Sequence, residues 1–130
     1  MKKAIGITVA IILIIGIIIL LVCPPVFVSG SSDVYVVFQY GSKDIYEKVS
    51  DSEAQQVTQI LNAHITFDDP VPSCGFDDNI ALIVGDKRFC IACDNCPTVR
   101  YNGKYFNVSQ KQIDTLRNIM RSYGAYFPCV

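Results

Sequence analysis

Arg100-Tyr101-Asn102-Gly103-Lys104-Tyr105-Phe106-Asn107-Val108-Ser109-Gln110-Lys111-Gln112-Ile113 contains a hairpin and a helix start in fourteen residues. Asn102-Gly103 is the dipeptide best suited to a two-residue hairpin turn, so Thr98 to Tyr101 and Lys104 to Phe106 read as paired strands. Ser109 with Gln112 forms a capping box, and Val108 with Ile113 a hydrophobic staple. Ile113, Leu116, Ile119, Met120 and Tyr123 follow on one helical face, and Gly124 suits the position just past the helix end.

The same plan occurs upstream. Val34 to Tyr40 is β-branched and aromatic, Gly41-Ser42-Lys43 turns the chain, and Asp44 to Val49 returns. Ser50 with Glu53 is a capping box and Val49 with Ala54 a staple; Ala54, Val57, Ile60, Leu61 and His64 line one face of a helix over 51–64. At an offset of 59 residues the two units align, Tyr46 with Tyr105 and Ser50 with Ser109, as a ββα-type internal repeat would. Between them, Ile80 to Val84 and Lys87 to Cys93 read as a hairpin about Gly85, and residues 66–79 are dense in turn formers. The fold class is therefore α+β, a mostly antiparallel sheet with two helices on one face.

Ahead of this domain stands an uncharged run of nineteen residues, Ala4 to Val22, preceded by Lys2-Lys3 and followed by Cys23-Pro24-Pro25. As a helix it spans about 28 Å, the thickness of a bilayer core. The two lysines hold the amino end in the cytoplasm, which places the rest of the chain outside. Residues 1–23 are read as a transmembrane anchor, 24–32 as a linker and 33–130 as an extracytoplasmic domain. Two processed forms compete: a secreted form cut after a signal sequence near Val28-Ser29-Gly30, and a lipoprotein on Cys23, for which Val22 is a poor preceding residue. Nine basic against twelve acidic residues remain beyond the run, a net charge of −3 with no basic stripe. That excludes nucleic acid as a partner. The expected partners are the membrane, through residues 4–22, and an envelope protein or peptide.

Cys90, Cys93 and Cys96 fall at every third position of Phe89-Cys90-Ile91-Ala92-Cys93-Asp94-Asn95-Cys96-Pro97, with Cys74 and Cys129 elsewhere in the domain. In an oxidising compartment these five are disulfide candidates. Cys90 and Cys93, if extended, lie about 10 Å apart, too far for a bridge; Cys93 and Cys96 flank a turn and are close enough for one. Cys74 and Cys129 are each expected to pair with a member of the triplet. Two functional alternatives use the same sulfurs. A redox pair, Cys93 and Cys96, would perform thiol–disulfide exchange, although no helix start or cation is expected beside it and Asp94 would raise the thiol pKa. A structural Zn²⁺ site would use Cys90, Cys93 and Cys96 with Cys74 or Cys129. The triplet is also similar to part of a ferredoxin cluster motif, but Val99 and Arg100 stand where the fourth ligand belongs. His64, the sole histidine, reads as a structural residue on the helix stripe. Asp68-Asp69 and Asp77-Asp78-Asn79 read as solvated turn acids rather than a Ca²⁺ loop, and Asn107-Val108-Ser109 as a helix cap rather than a glycosylation site. No complete catalytic set emerges, and no cofactor is expected.

The Phe89 to Pro97 stretch, Tyr105-Phe106-Asn107-Val108-Ser109, and the ending Tyr123-Gly124 with Phe127-Pro128-Cys129-Val130 resemble small extracytoplasmic modules of Gram-positive bacteria. Those modules are carried on one membrane span or a lipid anchor and have no assigned activity. The resemblance implies an outward-facing domain of the cell envelope and no mechanism. On this reading the chain is a disulfide-stapled binding domain.

Overall fold

A computed structural model describes residues 1–68 and 75–128, and of Lys2 and Lys3 the backbone alone. The expectations placed on Asp69, Cys74 and Cys129 lie outside those residues. In chain order the elements are α1 (Lys2–Val22), β1 (Pro25–Val26), β2 (Val34–Tyr40), β3 (Lys43–Lys48), α2 (Asp51–Leu61), β4 (His64–Ile65), β5 (Ile80–Val84), β6 (Lys87–Ile91), β7 (Thr98–Tyr101), β8 (Lys104–Asn107) and α3 (Gln110–Ser122).

The first helix is long and apolar enough to cross a membrane, and the apolar span Ala4–Val22 buries nothing against the rest of the chain. Membrane anchors and signal sequences share these properties.

Six strands form one antiparallel sheet in the order β3-β2-β5-β6-β7-β8. Alternation along the strands gives it two faces. Val34, Val36 and Phe38 of β2, Leu82 of β5, Phe89 and Ile91 of β6, Val99 of β7 and Phe106 of β8 point to one side. There they meet Val57, Ile60 and Leu61 of α2 and Ile113, Leu116, Ile119 and Met120 of α3 in a single core. The α+β reading holds at this level. Both units show hairpin, cap and helix, but an internal repeat is not established.

The local signals act as their chemistry dictates. Asn102 and Gly103 both have positive φ, 51° and 73°, as a type I′ turn requires. Both capping boxes form. Helix α2 is shorter than its apolar spacing predicts. It stops at Leu61, Ala63 turns at φ 61°, and His64 belongs to β4 instead. From there the His64 ring stacks on Phe106 at 4.4 Å and its Nε2–H donates to the Ile60 carbonyl. Residues 24–32, read from sequence as a linker, carry β1, and Val26 within them is part of the core. Strand β1 pairs antiparallel with β4, Pro25 opposite Ile65 and Val26 opposite His64.

The sheet edges are blunted. Phe67 exchanges both backbone hydrogen bonds with Tyr105 on the β8 edge (2.8 and 3.0 Å), and the β3 edge carries Lys43, Asp44, Glu47 and Lys48.

One cap joins the two helices. The Glu53 carboxylate accepts from Ser50 Oγ and from Tyr123 Oη, each at 2.6 Å, and Tyr123 Oη accepts from the Ser50 N–H at 3.0 Å. The Ser50 hydroxyl, and after it the Tyr123 hydroxyl, hold the Glu53 carboxyl below its usual pKa. A depressed carboxyl contributes stability that is full above the unfolded-state pKa and fades as pH falls through the folded one. Glu53→Gln is therefore expected to cost about 1 kcal/mol near neutrality. Urea unfolding at a series of pH values should show that difference closing in the acid range below ordinary carboxylate titration.

Candidate functional site

The cysteine stretch divides between two environments. Strand β6 ends at Ile91, not at Cys93, so Cys90 lies on the sheet while Cys93 and Cys96 lie in the following loop.

Cys90 points to the sheet face opposite the helices, directly across from Ala81 on β5 and Arg100 on β7. It is a free thiol, only 4% exposed. Its S–H donates to Asp78 Oδ1 at 3.5 Å, and its sulfur accepts from Arg100 Nη2 at 3.5 Å. Arg100 and Asp78 form an ion pair, and Arg88 Nη1 donates to the Asp78 carbonyl at 2.6 Å. Burial pushes the Cys90 thiol above its ordinary pKa, and Arg100 offsets this only in part. Cys90 is thus protonated at neutral pH and a poor nucleophile or metal ligand.

This face is also buried at its centre, where Val37, Ala81 and Cys90 are nearly inaccessible. Residues 75–79 fold over it: Phe76 lies 5.5 Å from Tyr105 and 5.5 Å from the Arg100 guanidinium. Beside them opens a cleft of about 410 Å³, lined by Asp78, Arg88, Cys90, Arg100, Tyr105 and the Asn102-Gly103 turn. Two guanidiniums against one carboxylate leave it electropositive in a domain whose net charge is negative. The strand alternation Arg88-Phe89-Cys90 and Val99-Arg100-Tyr101 carries the signal for these arginines; the sequence reading singled out neither as a site residue.

Cys93 and Cys96 are each disulfide-bonded. The loop around them is tied from three directions. Asp94 accepts from the Cys96 N–H (3.1 Å) and from the Gly75 N–H (3.2 Å), and the Cys93 N–H donates to the Gly75 carbonyl at 2.6 Å. From below, Arg117 of α3 donates to the Ala92 carbonyl at 3.0 Å and to Asn95 Oδ1 at 3.1 Å. That guanidinium is 1% exposed and sits 5.3 Å from the Phe127 ring, with Arg121 on the same ring. Ion pairs among the described residues involve Lys48, Lys87, Arg100 and Lys104, not Arg117. Burial, and then the neighbouring charge of Arg121, push its pKa down.

A disulfide sulfur is not a zinc ligand, and the Cys90 thiol donates to the Asp78 carboxylate on the same face. Among the described residues no group of three or more His, Cys, Asp or Glu side chains is placed to hold a metal ion. Asp77 closes a local turn through the Asn79 N–H at 2.8 Å, and Asp68 pairs with Lys104 at 2.7 Å. The chain matches no known protein family, no curated protein and no solved structure.

Arg117 holds the loop through two neutral acceptors. Arg117→Ala removes both bonds and leaves a cavity against Phe127. A loss of about 2–4 kcal/mol is expected in denaturant unfolding of the full chain, well beyond that of an exposed arginine such as Arg121.

Proposed function

We propose that the chain is a single-span membrane protein whose domain faces away from the cytoplasm and binds an envelope protein or peptide. The ligand surface is the sheet face opposite the helices. The observation that carries this reading is the 410 Å³ cleft on that face, where Arg88 and Arg100 stand beside a central apolar strip. Clefts of this size with a few convergent polar groups are typical binding sites. Lys2-Lys3 ahead of the apolar helix, with no basic residue after it until Lys43, supports the orientation.

In this reading the cysteines serve stability. Cys93 and Cys96 take Cys74 and Cys129 as partners, fastening the loop before β5 and the carboxyl-terminal tail to the loop after β6. Two observations support the pairing. The Gly75 backbone, one residue from Cys74, bonds to both Cys93 and Asp94, and Phe127, two residues from Cys129, packs on the arginine that holds this loop. Each closed loop contributes about 2–4 kcal/mol. Thiol–disulfide exchange gains nothing from this setting, since an acidic residue, Asp94, stands between the two cysteines and accepts from the Cys96 N–H, and the loop does not open a helix.

Lysine biotinylation of intact cells with a membrane-impermeant reagent tests the topology. Labelling of the domain before lysis is expected, and labelling only after lysis overturns the outward orientation. Thiol titration of the unfolded chain tests the staples separately. Two thiols, Cys23 and Cys90, are expected without reductant and all six cysteines with it. Six before reduction would remove the staples.

A further inference from the structure

The chain leaving α1 is held to the domain at every second residue from Val22 to Val28. Lys104 Nζ donates to the Val22 carbonyl at the helix end (3.1 Å) while pairing with Asp68. Thr66 Oγ1 donates to the Pro24 carbonyl at 2.8 Å, the Ala63 N–H to the Val26 carbonyl at 2.9 Å, and the Val28 N–H to Asn62 Oδ1 at 3.0 Å. No slack separates helix from domain, and three residues from Val22 to Pro25 reach at most about 10 Å.

The β1–β4 ribbon is therefore fixed beside the helix end, and its outer surface is apolar. Val26 points into the core, so Pro25 and Phe27 point away from it, and Ile65 lies opposite Pro25. Phe27 is 63% exposed and Ile65 70%. Among the described residues after α1, the other exposed large hydrophobic side chains are Tyr40, Tyr46 and Tyr126, each bearing a hydroxyl. The two without a polar atom are Ile65 on this ribbon and Phe27 directly after β1.

We propose that the β1–β4 ribbon is a membrane-seating surface. Phe27 and Ile65 enter the boundary between headgroups and acyl chains of the leaflet at which α1 ends, and this sets the tilt of the domain over the bilayer. The occupant is lipid because the patch is continuous with the apolar helix and cannot leave its end. The inference rests on the reading of α1 as a retained anchor.

The chain contains no tryptophan, so single-tryptophan variants report without background. Full-length Phe27→Trp, Ile65→Trp and Tyr46→Trp are reconstituted in phosphatidylcholine nanodiscs, with and without bromine on the upper acyl chain. A protected Cys90 thiol certifies folding of each variant, and intact mass certifies that residues 1–22 remain. At least about twofold quenching is expected at positions 27 and 65, with none at 46 on the opposite sheet face. Folded chains that keep α1 yet show positions 27 and 65 as unquenched as 46 overturn the seat and leave the anchor standing. A mass lacking residues 1–22 overturns the anchor, and the seat with it.

Discussion

A buried guanidinium with no carboxylate partner among the described residues organises the part of this domain that secondary structure does not. Arg117 reaches from the core face of α3 to the loop after β6, where it meets a backbone carbonyl and an asparagine oxygen. Moving a charge out of water is costly, and neutral acceptors repay it only when they are fixed in place. The loop is fixed: Asp94 caps its turn and binds the Gly75 amide, and both cysteines in it are covalently bonded. Its Nε finds no acceptor among the described residues, so the Phe127 ring and the two loop oxygens bear the remaining burden. Arginine and loop are mutually dependent. Either would be unstable in this geometry alone.

The sheet is more buried than two helices on one face would make it. Its second face has an inaccessible centre in Val37, Ala81 and Cys90, with charge at the margin in Arg88, Arg100 and Asp78. Such a surface places a free thiol where it is protonated and shielded, behind arginines that can meet an anion. Cys90 therefore differs in kind from Cys93 and Cys96, three and six residues on.

Much of the fold was legible because its local signals agree with one another. The Asn102-Gly103 turn, both capping boxes and the β-branched strands each specify a conformation with few alternatives. What escaped depended on distant contacts. The apolar spacing of α2 continues to His64, yet the helix ends at Leu61 because Ala63 turns to pair with Val26. Likewise the stretch after the first helix has a linker's composition, and only its antiparallel partner at residues 64–65 makes it a strand. Arg117 sits one turn past Ile113 on the core-facing stripe, a position where a charge is conspicuous, but the loop that receives it lies 22 residues away. The strict spacing of Cys90, Cys93 and Cys96 invited treatment as one unit. The end of β6 at Ile91 divides them, since strand alternation governs the first and turn geometry the other two.

The strand order β3-β2-β5-β6-β7-β8 has a consequence for how the chain finds its structure. Every neighbouring pair in it is consecutive along the chain except β2 with β5. One hairpin with its helix and one four-stranded meander with its helix can each assemble from adjacent segments, at small loop-closure cost. Within this sheet the entropic toll of a long closure falls on the single seam where Val36 meets Leu82, with the β1–β4 ribbon and the Phe67–Tyr105 bridge as smaller closures outside it. The search for this fold thus reduces largely to one encounter between two pieces, and the 75–79 segment that crosses the second face lies next to that seam in sequence, immediately before β5.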